Sequence, residues 1–309
     1  MFSRTIRVVT SVIAALTTFF TSFHLFSGVA HAGVAQPDEH TCADVAVVAA
    51  RGSGQNTHIT PTQYSATDSR MSNGWEAEHI REFLHMSEAR YQETHNGASL
   101  MHGVDVIGID DTYYQAGPQE SETPNLESEE SIMEELARIV GPGPSVIDDL
   151  PSLAKSLISS AVQGHDGVMK HIDDYESATG CTPSYVLVGY SQGAAILQGH
   201  ERELAQRGQL AGVLYFGNPM TSFLDPAVIG VENGAGGFLG NTPWNSLTTA
   251  ATDQRINFCL PIDIVCDTSI QILVASASTP GVHENYFTEE SQWDDHIADS
   301  FGQWVDAVR

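Results

Sequence analysis

Lysine is almost missing from this 309-residue chain, with Lys155 and Lys170 the only two. Lysine and arginine together number 13 against 39 aspartates and glutamates, a formal net charge of −26. So acidic a surface repels polyanions, which excludes nucleic acid and anionic membrane as partners and keeps the protein soluble. No C-x-x-C pair, no D-x-[DN]-x-[DN]-G stretch and no G-x-x-x-x-G-K-[ST] occurs. The usual zinc, calcium and nucleotide-phosphate loops are therefore absent. There is no internal repeat, and past about residue 26 no apolar run long enough to cross a bilayer.

What is present begins with a processing segment. Arg4 and Arg7 precede an apolar run over 8–26, and Ala30-His31-Ala32 places small residues where a signal peptidase reads them. Residues 1–32 are accordingly read as a signal peptide and 33–309 as a single domain; an uncleaved anchor is the competing reading. Without Arg4 and Arg7 the formal charge falls from −26 to −28. The four cysteines all lie beyond the segment, and an even count in an exported chain reads as two disulfides. Three pairings exist. Nearness in sequence favours Cys259–Cys266, which leaves Cys42–Cys181.

Hydrophobic patterning alternates strand with helix, as in a parallel sheet covered on both faces. Short runs rich in Val, Ile and aromatics predict strands over 44–50, 104–109, 185–188, 212–216 and 255–258. Helices are predicted over 75–91, 153–175, 192–207 and 291–308. In the last, Trp293, Ile297, Phe301, Trp304 and Val305 form a core-facing stripe. Two segments depart from the pattern. The glutamate-rich stretch 119–135 reads as a solvated loop running into a helix. The glycine-rich stretch 230–249 reads as a mobile surface loop near the active site.

The strongest chemical signal is Gly189-Tyr190-Ser191-Gln192-Gly193, a G-x-S-x-G between a predicted strand and a predicted helix. A serine on that tight turn stands clear of the sheet, and the following helix points its N-terminus at developing negative charge. A serine hydroxyl needs a histidine base and a carboxylate that orients it, and in this fold class they follow in that order of Ser, Asp, His. Asp225, Asp253, Asp263 and Asp267 are the carboxylate candidates. His200 rides away on the helix that starts at the serine, and His296 lies inside the amphipathic C-terminal helix. His283 falls on a loop, where catalytic histidines gather.

Cys259-Leu260-Pro261-Ile262-Asp263-Ile264-Val265-Cys266 resembles the C-x-x-x-D-x-x-C loop of cutinases and cutinase-like esterases. The resemblance makes Asp263 the triad acid, and His283-Glu284-Asn285-Tyr286 matches the family's histidine followed by an aromatic. Gly189 to Ala195 is close to its nucleophile motif. Cys42-Ala43-Asp44-Val45 and Ala50-Arg51-Gly52-Ser53-Gly54 look like its opening cysteine, first strand and oxyanion turn. Leu214 to Pro219 is similar to a strand-end motif of bacterial members. By this match Ser53 and the backbone N–H of Gln192 hold the oxyanion, and the position of Cys181 supports the Cys42–Cys181 bridge. Segments 114–158 and 230–249 exceed the compact cutinases.

The resemblance implies a cutinase-type α/β-hydrolase: a central, mostly parallel sheet of about five strands flanked by helices. It implies a secreted, envelope-associated serine esterase, monomeric and without metal or organic cofactor. The substrate would be a hydrophobic ester: lipid, polyester, or an envelope glycolipid such as a mycolyl ester of trehalose. Two readings compete. One is an acyltransferase using the same triad, and the other is an inactive surface-binding protein on a hydrolase scaffold.

Overall fold

A computed structural model describes residues 41–117, 152–231, 236–237, 239–240, 250–276 and 281–309. The proposed signal segment, the glutamate-rich stretch and residues 241–249 lie outside them. Six strands form one sheet: β1 (Val45–Ala50), β2 (Val104–Gly108), β3 (Ser184–Tyr190), β4 (Leu210–Phe216), β5 (Val228–Ile229) and β6 (Arg255–Phe258). Their order is β2-β1-β3-β4-β6-β5, and every pairing is parallel. The sheet thus exceeds the expected five by β5. That strand has two half-buried residues, too short a run between Pro226 and Gly230 to read as a strand; Asn257 N–H and Cys259 N–H bind it to β6 through the Ala227 and Ile229 carbonyls.

Among the described residues the helices are α1 (Ala77–Thr94), α2 (Ser152–Thr179), α3 (Gln192–Gln198), α4 (Glu201–Arg207), α5 (Ile270–Ser276) and α6 (Asp294–Asp306). Alternation along β1 divides the core in two. Val45, Val47 and Ala49 pack toward α1 and α6, against Ile80, Phe83, Phe301 and Trp304. Ala46, Val48 and Ala50 face α2, α3 and α4, against Val168, Ile172, Ile196 and Leu204. A strand covered on both sides reads as a continuous apolar run, which is why β1 is Val-Ala-Val-Val-Ala-Ala. The single helix predicted over 192–207 is two, broken at Gly199 and His200. A side chain at Gly199 would meet the His165 ring, and His200 Nε2 bonds the His165 carbonyl at 2.8 Å. No described helix is long and apolar enough to cross a membrane.

Both disulfides are present, Cys42–Cys181 and Cys259–Cys266. The first spans 139 residues, and a loop of that length is worth about 5 kcal/mol in the chain-entropy account. The described part of the glycine-rich stretch is not an open surface loop. Gly237 N–H bonds Thr221 O at 2.9 Å, Leu239 N–H bonds Pro219 O at 2.8 Å, and Thr268 N–H bonds Gly236 O at 2.9 Å. Gly236, Gly237 and Gly240 are buried there. Glycine lets this backbone lie directly on the 219–221 carbonyls.

The chain passes from β1 to β2 on one side and then returns to place β3 on the other. The crevice between the C-terminal ends of β1 and β3 is therefore the topological switch point, where open parallel sheets bind ligands.

Candidate active site

Ser191 follows β3 directly at that crevice. Its φ of 54° and ψ of −121° lie in a region that a residue with a side chain seldom enters, a strain of about 1–3 kcal/mol. The turn is held on both sides: Ser191 N–H bonds Phe216 O at 2.9 Å, and Ala194 N–H bonds Ser191 O at 3.1 Å. Gly193 is needed because α3 starts against the end of β1. A Cβ there would lie 2.6 Å from the Arg51 carbonyl and closer still to that of Ala50.

Across the crevice, His283 Nε2 is 2.9 Å from Ser191 Oγ, and His283 Nδ1 is 2.8 Å from Asp263 Oδ2. His283 sits on a 3-10 turn, Val282–Asn285. Its ring rests against Gly217, whose φ is +58° and where a Cβ would meet the ring at 2.5 Å. Tyr190 also stacks on the ring at 5.1 Å between centroids, and its hydroxyl donates to the His283 carbonyl at 2.8 Å.

Asp263 is fully buried within the loop closed by Cys259–Cys266. Burial alone would push its carboxyl up. The neighbouring His283 charge, the hydrogen bonds from His283 and Tyr286, and the Val265 N–H outweigh that and hold it below the usual carboxylate value. Tyr286 was not singled out from sequence as a site residue. Its hydroxyl donates to Asp263 Oδ2 at 2.6 Å and accepts Leu260 N–H at 2.9 Å.

Ser53 lies on the turn that leaves β1, whose last residue, Ala50, pairs with Gly189. Gly54 N–H bonds Ala116 O at 2.7 Å. Buried Arg51 underpins the turn, donating to Ile109 O at 2.6 Å, Tyr114 O at 3.0 Å and Asn56 Oδ1 at 2.7 Å. Burial pulls its pKa down to about 10, still charged at neutral pH. Gln192 is the first residue of α3, its side-chain oxygen held by Tyr114 Oη at 2.8 Å and Ser160 Oγ at 3.3 Å. Of the other candidates, Asp267 stays beside Asp263, while Asp225 and His296 lie elsewhere. Asp225 is paired with Arg255, Asp267 N–H bonds Asp263 O while the Asp267 side chain takes Ser269 N–H, and His296 is exposed on α6.

A family model named Cutinase matches residues 117–300, more than half of the chain. The chain belongs to the cutinase family. It is a carboxylic ester hydrolase of that family. No curated protein matches it. Similar solved structures include an acetylxylan esterase, at TM-score 0.46 and 15% identity, covering 86% of this chain and 100% of that one. A cutinase-like protein from Cryptococcus sp. follows at 0.44 and 16%, covering 84% and 96%. Trichoderma reesei cutinase in complex with a phosphonate inhibitor matches at 0.35 and 13%, covering 86% and 77%.

Proposed function

We propose that this cutinase-family esterase works through Ser191, His283 and Asp263 in an acyl-enzyme cycle. The observation that carries the reading is the continuous line from Ser191 Oγ through both nitrogens of one imidazole to a buried carboxylate, in steps of 2.9 and 2.8 Å. Ser191 Oγ attacks the ester carbonyl as His283 Nε2 takes its proton. The Ser53 and Gln192 backbone N–H groups receive the oxyanion, where each donor is worth about 3 kcal/mol of barrier. Collapse breaks the bond to the alcohol, which leaves with the proton from His283. Water, deprotonated by His283, then releases the acid and restores Ser191. Asp263 holds the imidazole in the Nδ1–H form and balances its charge when it becomes imidazolium.

The substrate is a hydrophobic ester, lipid or envelope in origin. Phe223, Leu224 and Ile270 support this: they are exposed large apolar residues on segments leaving the C-terminal ends of β4 and β6. The enzyme is exported, with residues 1–32 removed, and two disulfides suit an oxidising destination.

Hydrolysis of p-nitrophenyl butyrate and palmitate by residues 33–309, beside Ser191→Ala, tests the reading. Turnover should fall about a millionfold in the variant, and a fluorophosphonate should label Ser191 alone. Near-normal turnover in Ser191→Ala would sink the triad.

A further inference from the structure

A second histidine is buried beside the triad and takes no part in the chemistry above. His79, on α1, is 4% exposed. Its ring stacks on Tyr190 at 4.4 Å, on the ring that also stacks on His283. Its nitrogens reach two separate segments: Nδ1 is 2.6 Å from Gln55 Nε2, and Nε2 is 2.9 Å from the Glu284 carbonyl. Gln55 Oε1 in turn accepts the Gly52 N–H at 2.9 Å.

These bonds fix where each proton sits. A backbone N–H can only donate, so Gln55 turns its oxygen to Gly52 and its NH2 to His79. Nδ1 must then accept, which leaves the ring proton on Nε2, donated to Glu284 O. His79 is therefore the neutral Nε2–H tautomer. Burial, aided by the His283 charge, keeps its pKa below the ordinary value despite the Glu284 carbonyl and carboxylate.

We propose that His79 is a positioning residue that ties the turn carrying Ser53 to the turn carrying His283. The proposal rests on the triad and oxyanion roles given above. Gly52 and Glu284 flank Ser53 and His283 directly, so the bridge Gly52–Gln55–His79–Glu284 ends one residue from each. Two successive carbonyls of the 3-10 turn are thereby held, His283 O by Tyr190 and Glu284 O by His79. A turn free to rotate would carry the imidazole away from Ser191, and a shift of about 1 Å can cost roughly a hundredfold in rate. A core histidine with a packing role alone would have no reason to end its bonds on these two turns.

The test is p-nitrophenyl butyrate kinetics for the wild type, Ser191→Ala, His79→Ala, His79→Gln, Gln55→Ala and the Gln55→Ala/His79→Ala pair. His79→Ala and Gln55→Ala should each lower kcat about tenfold while KM moves by less than about twofold. The pair should fall no further than the worse single variant, because both break one bridge. His79→Gln, of similar reach and with an N–H for Glu284, should recover part of the loss; with Gln55→Ala it carries the test if His79→Ala does not fold. Folded variants with wild-type kcat, or losses that multiply in the pair, overturn the proposal alone. Turnover retained in Ser191→Ala overturns the triad and this proposal together.

Discussion

The two ends of β6 each bury carboxylates, and they do opposite things with them. At its start, Arg255 is 2% exposed in its side chain and reaches Asp225 Oδ2 at 2.5 Å and Glu201 Oε1 at 3.3 Å. Burial pushes the Glu201 carboxyl up in spite of that cation. Past its other end, Asp263 is held down by His283, Tyr286 and Val265. The first cluster closes on a permanent cation. The second opens onto an imidazole whose side chain is 15% exposed and whose far nitrogen meets a hydroxyl. Burial of a carboxylate alone does not suit it to the proposed chemistry, which needs a partner that can take up and give back a proton.

The contrast predicts that substitutions at the two ends separate rate from stability. Asp263→Asn should lower kcat by about ten-thousandfold, through the wrong imidazole tautomer, and leave the folded state in place by circular dichroism. Arg255→Met strands two buried carboxylates. Urea unfolding should show a loss of about 3–5 kcal/mol, with kcat of the folded fraction unchanged. An Arg255→Met variant that lost rate and kept stability would dissolve the comparison.

Tyr286→Phe should fall between them. It removes one donor from Asp263 and leaves the buried Leu260 N–H without its acceptor, at about 1–3 kcal/mol of stability and a several-fold loss in kcat. The smallest effect is in pH dependence, and its sign differs at the two ends. Asp263 has a folded pKa below its unfolded value of about 3.9, so its stabilisation is complete above that pH and is lost as pH falls through the folded value. Glu201 has a folded pKa above its unfolded value of about 4.3, so its contribution is present in acid and is lost as pH rises through the folded value. Urea midpoints against pH should show a flatter acid limb for Asp263→Asn and a flatter limb above about pH 4.3 for Glu201→Gln.

Local pattern made much of this molecule legible. The nucleophile turn needs glycines, a strand before it and a helix after it, all within a dozen residues. β1, β3 and β4 are visible because burial on both faces leaves long apolar runs, while β2 and β6 interrupt theirs with Asp105, Arg255 and Asn257. The residues alone leave four aspartates open, and only the resemblance of the Cys259–Cys266 loop to that of cutinases points to Asp263; His283 stands out by lying on a loop. What sequence left hidden depends on distant partners. β5 exists only through β6, and the break at Gly199 answers to a ring on α2. Tyr286 and His79 are ordinary core residues by composition; their bonds to Asp263 and Glu284 join positions that no periodicity connects.

The Cys42–Cys181 bridge sits at the opposite end of the strands from the proposed site. It fastens β1 to β3 just before each strand begins, and Ser184 N–H bonds Asp44 O beside it at 2.9 Å. The far ends of the same two strands carry the Ser53 turn and Ser191. Sliding one strand past the other by a single residue would shift those two turns by about 3.3 Å, more than a hydrogen bond can follow. The bridge is a mechanical stop against that slide, so distances at one rim of the sheet are kept by a covalent pin at the other.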